Sequence, residues 1–355
     1  MSVVLFLAIL IVLIVVHELG HFFAAKLVRV KVIELALGFP PRIFGIKRGD
    51  TIYSLNAVPL GGFCKMAGEE DPGVPHSLAS KGRWTRVFVL SAGSVAMLLF
   101  PLFILPLSYA VPVERYVEGP GVQVVAVAPG SPAEGAGIQP RDVVLAVDGE
   151  KVSSLTDMHQ ALESKLGVEV TLQILRRPDT ELEVTLVPRL EPPEGEGAMG
   201  IQMGPLTEVI SYPMWQAAVL GFNEYGRMWV AMADVIGQLV NGVEMPPGWE
   251  GPPVAGPIGM AQLTAEAAAG GAYVLIMLAC FLSINLAIVN LLPIPALDGG
   301  RIAFVLLEVL RGGRRISPST EGLINTVGFG VLMALILVVS YFDVLRLIHG
   351  GSMLP

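Results

Sequence analysis

The chain has 355 residues, of which 53% are hydrophobic and only 15% charged, and its mean hydropathy is +0.65. A soluble domain carries about 25% charged residues, so much of this sequence is built to face lipid, and intrinsic disorder is excluded. Two cysteines, Cys64 and Cys280, exclude a disulfide scaffold, and a net charge of −8 argues against nucleic acid as a partner.

A bilayer core needs about 20 predominantly apolar residues per helix. Four runs meet that length. The first begins at Ser2 and continues to Val28, broken only by His17, Glu18, His21 and Lys26. The others lie between Arg86 and Glu114, Glu266 and Asp298, and Glu321 and Asp343. The first run has no basic leader and no small-residue cleavage site after it, which argues against a signal peptide. The loops after the first and third spans hold most of the basic residues, including Lys26, Arg42, Lys47, Arg83, Arg301 and Arg315. Basic loops stay cytoplasmic. The expectation is a multi-pass inner (plasma) membrane protein, with the insert after Glu114 outside the cell.

Between the first two spans, Ile43 to Ile46 and Thr51 to Leu55 flank Lys47-Arg48-Gly49-Asp50 as a β-hairpin. The insert reads as a small α+β domain. Its strands are Val122–Val127, Asp142–Val147, Val168–Leu175 and Leu182–Val187, the last two joined by a Pro178-Asp179 turn. Short helices are expected over Ala133–Ala136 and Asp157–Lys165. A Pro-, Glu- and Gly-rich linker follows from Glu191 to Gly197. From Ser211 to Val243 the polar residues Asn223, Glu224, Arg227, Asp234, Gln238 and Asn241 form one helical stripe, the pattern of an amphipathic helix in the membrane interface. The organisation expected is therefore 1–113 (two spans and the membrane-associated hairpin), 114–190 (the α+β domain), 191–270 (linker and interfacial helix) and 271–355 (two spans).

His17-Glu18-Leu19-Gly20-His21 is an H-E-x-x-H motif. On a helix, positions i and i+4 share a face, so both imidazoles reach one Zn²⁺. Glu18 between them is placed to act as a general base. Ionisable groups at membrane depth cost at least about 2.5–3.5 kcal/mol each on insertion scales. A metal compensates three of them within five positions better than a hydrogen-bonded polar patch does. A catalytic zinc takes three protein ligands and leaves one position open. His159 and His349 fall on the outside and His76 in a polar loop. Asp298, at the end of the third span behind Pro293 and Pro295, is the better third ligand. Asn285 and Asn290 also interrupt this span, and the expectation is that they contact substrate, Asn290 more closely.

The insert's string V-x-P-G-S-P-A-E-x-A-G-I-x-x-x-D-V-V-L-x-V-D-G resembles a bacterial PDZ domain, which implies a peptide ligand or a steric screen. The chain as a whole resembles the site-2 protease family of intramembrane metalloproteases, closest to the regulator-of-sigma-E protease type. The resemblance rests on H-E-L-G-H at 17–21, G-F-P-P-R-I-F-G at 38–45, Y-S-L-N-A-V-P-L-G-G-F-C-K-M at 53–66, G-P-I-G-M at 256–260 and N-L-L-P-I-P-A-L-D-G-G at 290–300. It implies zinc on His17, His21 and Asp298, Glu18 as catalytic base, and regulated cleavage of single-span proteins already trimmed by another protease, anti-sigma factors among them. The second span departs from the family's G-P-x-x-N pattern, with Gly93-Ser94-Val95-Ala96-Met97 in its place. Two rival readings remain. A catalytically inactive PDZ-bearing scaffold with a structural metal requires a closed four-ligand site. A zinc transporter requires further intramembrane carboxylates or histidines.

Overall fold

The computed structural model describes residues 2–348 except 70, 72, 118, 164, 177–179, 194–195 and 242–254. The chain divides into two compact units, one made of 1–111 with 211–355, the other of Pro112–Ile210. The Pro178-Asp179 turn and His349 lie outside the described residues.

The first unit opens with α1 (Ser2–Leu27), followed by β1 (Val32–Arg48), β2 (Thr51–Met66) and α2 (Arg83–Ala110). Gly20 lets α1 and α2 approach closely, since a Cβ there would stand 2.4 Å from the Ala92 carbonyl oxygen. Small residues at such crossings are how helices pack without a hydrophobic driving force. The hairpin expected from the sequence is present, but its strands, of 17 and 16 residues, are far longer than the alternating runs suggest. Register shifts fold each strand back on itself, so that Leu35 pairs with both Cys64 and Tyr53. The segment from Arg42 to Arg48 pairs on one side only, with Thr51 to Asn56, and is an edge.

The insert holds β3 (Val113–Tyr116), β4 (Val122–Val127), α3 (Pro132–Gly135), β5 (Val143–Val147), β6 (Glu150–Lys151), α4 (Leu155–Glu163), β7 (Val170–Arg176), β8 (Thr180–Leu186), β9 (Ile201–Gly204) and β10 (Thr207–Ile210). Its main sheet runs β8-β7-β5-β4-β9, with β6 beside β5. Val124, Val144, Val147, Met158, Leu172 and Ile174 form a fully buried core. Ser131 caps α3 by accepting from the Glu134 amide, with Pro132 at the first helical position. The domain extends twenty residues past the expected boundary at 190. Ile201–Gly204 pairs with β4 and completes the sheet, while Thr207–Ile210 pairs with β3.

The chain re-enters the first unit through α5 (Met214–Asn241), α6 (Pro257–Ala269), α7 (Ala272–Leu291), α8 (Asp298–Leu310) and α9 (Pro318–Ile348). Among the described residues, four helices are long and apolar enough to cross a membrane: Val3–Leu27, Arg83–Ala110, Ala272–Leu291 and Pro318–Arg346. The amphipathic helix expected after the insert is α5. Its Met228 and Met232 pack with Leu105 of α2 and with Cys280 and Ile284 of α7. Gly221 sits against Pro106 with no room for a Cβ. The third span also differs from expectation. It stops at Leu291, and residues 292–297 are non-helical, so Asp298 begins a new helix rather than ending the span. Pro293 and Pro295 remove two amide donors there and explain the break.

Candidate metal centre

His17 and His21 lie one turn apart on α1 and face α2 and the start of α8. Three atoms converge: Nε2 of His17, Nε2 of His21 and Oδ2 of Asp298. Each pair among them is 3.1 Å apart. Nδ1–H of His21 donates to the Val89 carbonyl of α2 at 2.9 Å. A carbonyl only accepts, so His21 carries a proton on Nδ1, and the neutral ring then has its lone pair on Nε2. That lone pair points at another imidazole nitrogen and at a carboxylate oxygen. Three electron-rich atoms crowd in this way around a cation or shared protons. Zinc–ligand bonds of about 2.0–2.1 Å in a tetrahedron set the ligands about 3.3 Å apart. The observed triangle fits that edge, and the ligand types suit zinc. The carbonyl behind His21 is the outer support that ligating histidines need.

Gly93 completes the cradle from α2. A Cβ there would come within 2.4 Å of His21 Nε2 and 2.6 Å of His17 Cε1. Gly93 and Val89 lie outside the sequence expectations. Of the G-P-x-x-N pattern the chain keeps only the glycine, and that glycine is the residue in contact. Small residues at Gly20 and at Ala92-Gly93-Ser94 were the available signal.

Glu18 lies near His17, His21 and Asp298, with the Cys64 backbone beside its carboxylate. The same side chain lines a groove of about 290 Å³ between α1 and the sheet. Ile14, Leu19, Leu35, Leu37, Phe44 and Leu55 make its walls apolar. Gly62 of β2 lies close against Ile14 and Glu18. Burial, with Glu18 and Glu69 nearby, pushes the Cys64 thiol up to about 12, so it stays protonated at neutral pH.

The structure therefore gathers His17, Glu18, His21 and Asp298 into one site. The Asn285 side-chain amide donates to the Phe281 carbonyl of its own helix at 3.0 Å. Asn290 is half-buried in the last turn of α7. His76 is exposed with a left-handed backbone and lies outside the cluster.

Comparisons with known proteins bear on the family of the chain. A relative from Clostridium perfringens that carries a zinc-metalloprotease name is 34% identical over 339 residues, covering 94% of this chain and 95% of its own. Zinc metalloprotease RasP of Shouchella clausii is 28% identical over 421 residues, covering 96% and 98%. Among solved structures, the PDZ domain of an SdrC-like protein from Listeria monocytogenes is 21% identical, covering 25% of this chain and 93% of its own with a TM-score of 0.22. With the model of peptidase family M50 matched across residues 5–335, the chain belongs to that family, the site-2 proteases.

Proposed function

We propose that the protein is a zinc-dependent intramembrane endopeptidase that cleaves single-span membrane proteins in or near their membrane segment. His17, His21 and Asp298 hold the metal, and Glu18 is the general base. The observation that carries this reading is the 3.1 Å triangle of ligand atoms on a membrane helix, with Glu18 between it and an apolar groove.

When bound, zinc supplies Lewis-acid charge that acidifies water and stabilises negative charge on a carbonyl oxygen. The chain's own residues do the rest. His21 is held in one tautomer by Val89, so its Nε2 stays available. Glu18 accepts a proton from the attacking water and returns it to the leaving amine. The Cys64 backbone lies beside the Glu18 carboxylate. A helical substrate hides its peptide bonds in i to i−4 hydrogen bonds, so cleavage requires local unwinding. The one-sided Arg42–Arg48 segment offers an edge to hold an extended stretch by strand addition. Phe44, on that edge, lines the groove. Asn290 donates to the substrate backbone or the oxyanion. Asn285 shares that role only with the N–H its Phe281 contact leaves over.

The basic loops after the first and third spans support a cytoplasmic-facing site in the inner membrane. The Pro112–Ile210 unit is then extracytoplasmic, where it binds a peptide or screens substrates that another protease has not yet shortened. Incubating the purified protein with a tagged single-span substrate tests this. Cleavage that a chelator abolishes and zinc restores is expected. A scaffold with a structural metal would bind the substrate and leave it intact.

A further inference from the structure

We propose that Glu308 is a positioning residue for the metal centre, acting through Arg86 to set α8, and hence Asp298, against the helix that fixes His21. The inference rests on the metal reading of His17, His21 and Asp298. Helix α8 follows six non-helical residues, among them Ala296 in a left-handed conformation. That loop packs tightly on the first turn, where Gly299 and Gly300 leave no room for a Cβ beside the carbonyls of Leu292 and Ile294. It fixes the first turn locally, while the direction of the helix axis is set at the far end.

There Glu308 is 6% exposed and receives three arginines. Arg86 of α2 is its hydrogen-bonded partner. Arg83 Nε lies 3.5 Å and Arg315 Nε 3.4 Å from the other carboxylate oxygen. Arg315 also donates to the Ala79 carbonyl at 2.9 Å. Arg86, Val89 and Gly93 recur at spacings of three and four, one face of α2. One face of one helix thus ties α8, orients His21 and cradles both imidazoles. A second tie stands three residues beyond Asp298. Arg301 is 2.8 Å from Glu69, which accepts from the Met66 amide at the end of β2. Buried ion pairs add little net stability compared with apolar packing. What this one provides is a fixed register between α2 and α8, about 15 Å along the helix from Asp298.

The test uses the full-length protein in detergent and zinc itself as the probe. Apo protein is titrated against a chromophoric chelator, and the Co²⁺ d–d spectrum is recorded in parallel. Glu308→Gln keeps the side-chain shape and removes the charge. It is expected to weaken zinc by about 10–100-fold, the range for lost outer supports of a ligand, and to shift the cobalt spectrum toward that of Asp298→Asn. Asp343→Asn, a buried carboxylate on α9, is expected to lower the melting temperature without moving either readout. If Glu308→Gln does not fold, Arg83→Gln, which removes the exposed partner of Glu308, is expected to fold and weaken zinc by about threefold, the size an exposed ion pair carries. A folded Glu308→Gln chain with wild-type affinity, or, where that variant does not fold, an Arg83→Gln chain with wild-type affinity, overturns the proposal. So does Asp343→Asn if it weakens zinc as much as Glu308→Gln. A wild-type chain without zinc affinity would sink the metal reading, and the positioning role with it.

Discussion

Two carboxylates of the membrane unit, the buried Asp343 and the partly buried Asp298, meet their neighbours in different ways. Asp343 on α9 is 1% exposed. It accepts from the Gly259 amide at the start of α6 at 2.9 Å, with Arg346 one turn away at 3.9 Å. Its neighbours are donors, an amide on Oδ2 and a guanidinium near Oδ1, although Oδ1 has no hydrogen bond of its own. Asp298 meets two imidazole nitrogens at 3.1 Å, and the proton of one of them is already committed to Val89. Here the neighbours are themselves lone-pair carriers, and a cation or shared protons must hold the three atoms together. Burial of charge in a membrane protein does not by itself mark function. The character of the neighbours does.

The largest expected effect follows from breaking this distinction at Asp298. Asp298→Asn should abolish measurable cleavage and most zinc retention, measured by metal analysis of the purified chain. Glu18→Gln should keep about one zinc per chain, as a three-ligand site implies, and lose at least about a hundredfold in turnover. Normal turnover by that variant would remove Glu18 from the chemistry. Gly93→Ala inserts a methyl group where 2.4 Å is available. It should reduce zinc retention and cleavage together, and an unchanged chain would show that α2 yields there.

Smaller effects sharpen the contrast from the other side. Asp343→Asn should destabilise by about 1–3 kcal/mol, the cost of a weakened buried hydrogen bond, while turnover at permissive temperature stays close to wild type. Asn290→Ala should cut the rate at saturating substrate by at least about tenfold with zinc content unchanged. A lowered melting temperature with unchanged turnover would instead assign Asn290 to helix packing. Asn285, already bonded to Phe281, should show the smaller loss of the two.

Much of this architecture is legible in the residues. The four spans follow from apolar length alone. The two histidines and Glu18 follow from their spacing in an apolar helix, and Asp298 from the need for a third ligand. What escaped was set by tertiary contact rather than by pattern. Val89 acts through its carbonyl, which every residue carries, so its side chain holds no signal. Gly93 matters for the atom it lacks. Ile201–Gly204 is too short to read as a strand before β4 is there to pair with it. β1 and β2 carry Gly38, Pro40, Pro41, Gly61 and Gly62, residues that usually punctuate strands, and the bulged register accommodates them. Glu308 reads as one charge on an amphipathic helix until α2 brings Arg86 to it.

The central claim is that two imidazoles and one carboxylate, with no sulfur, hold zinc on α1 and α8. Zinc K-edge X-ray absorption of the purified full-length protein tests it most directly. The account predicts a four-coordinate shell of light ligands at about 2.0–2.1 Å, an imidazole signature for two histidines, and loss of that shell in Asp298→Asn. A zinc–sulfur distance near 2.3 Å, or a spectrum that Asp298→Asn leaves unchanged, would contradict it.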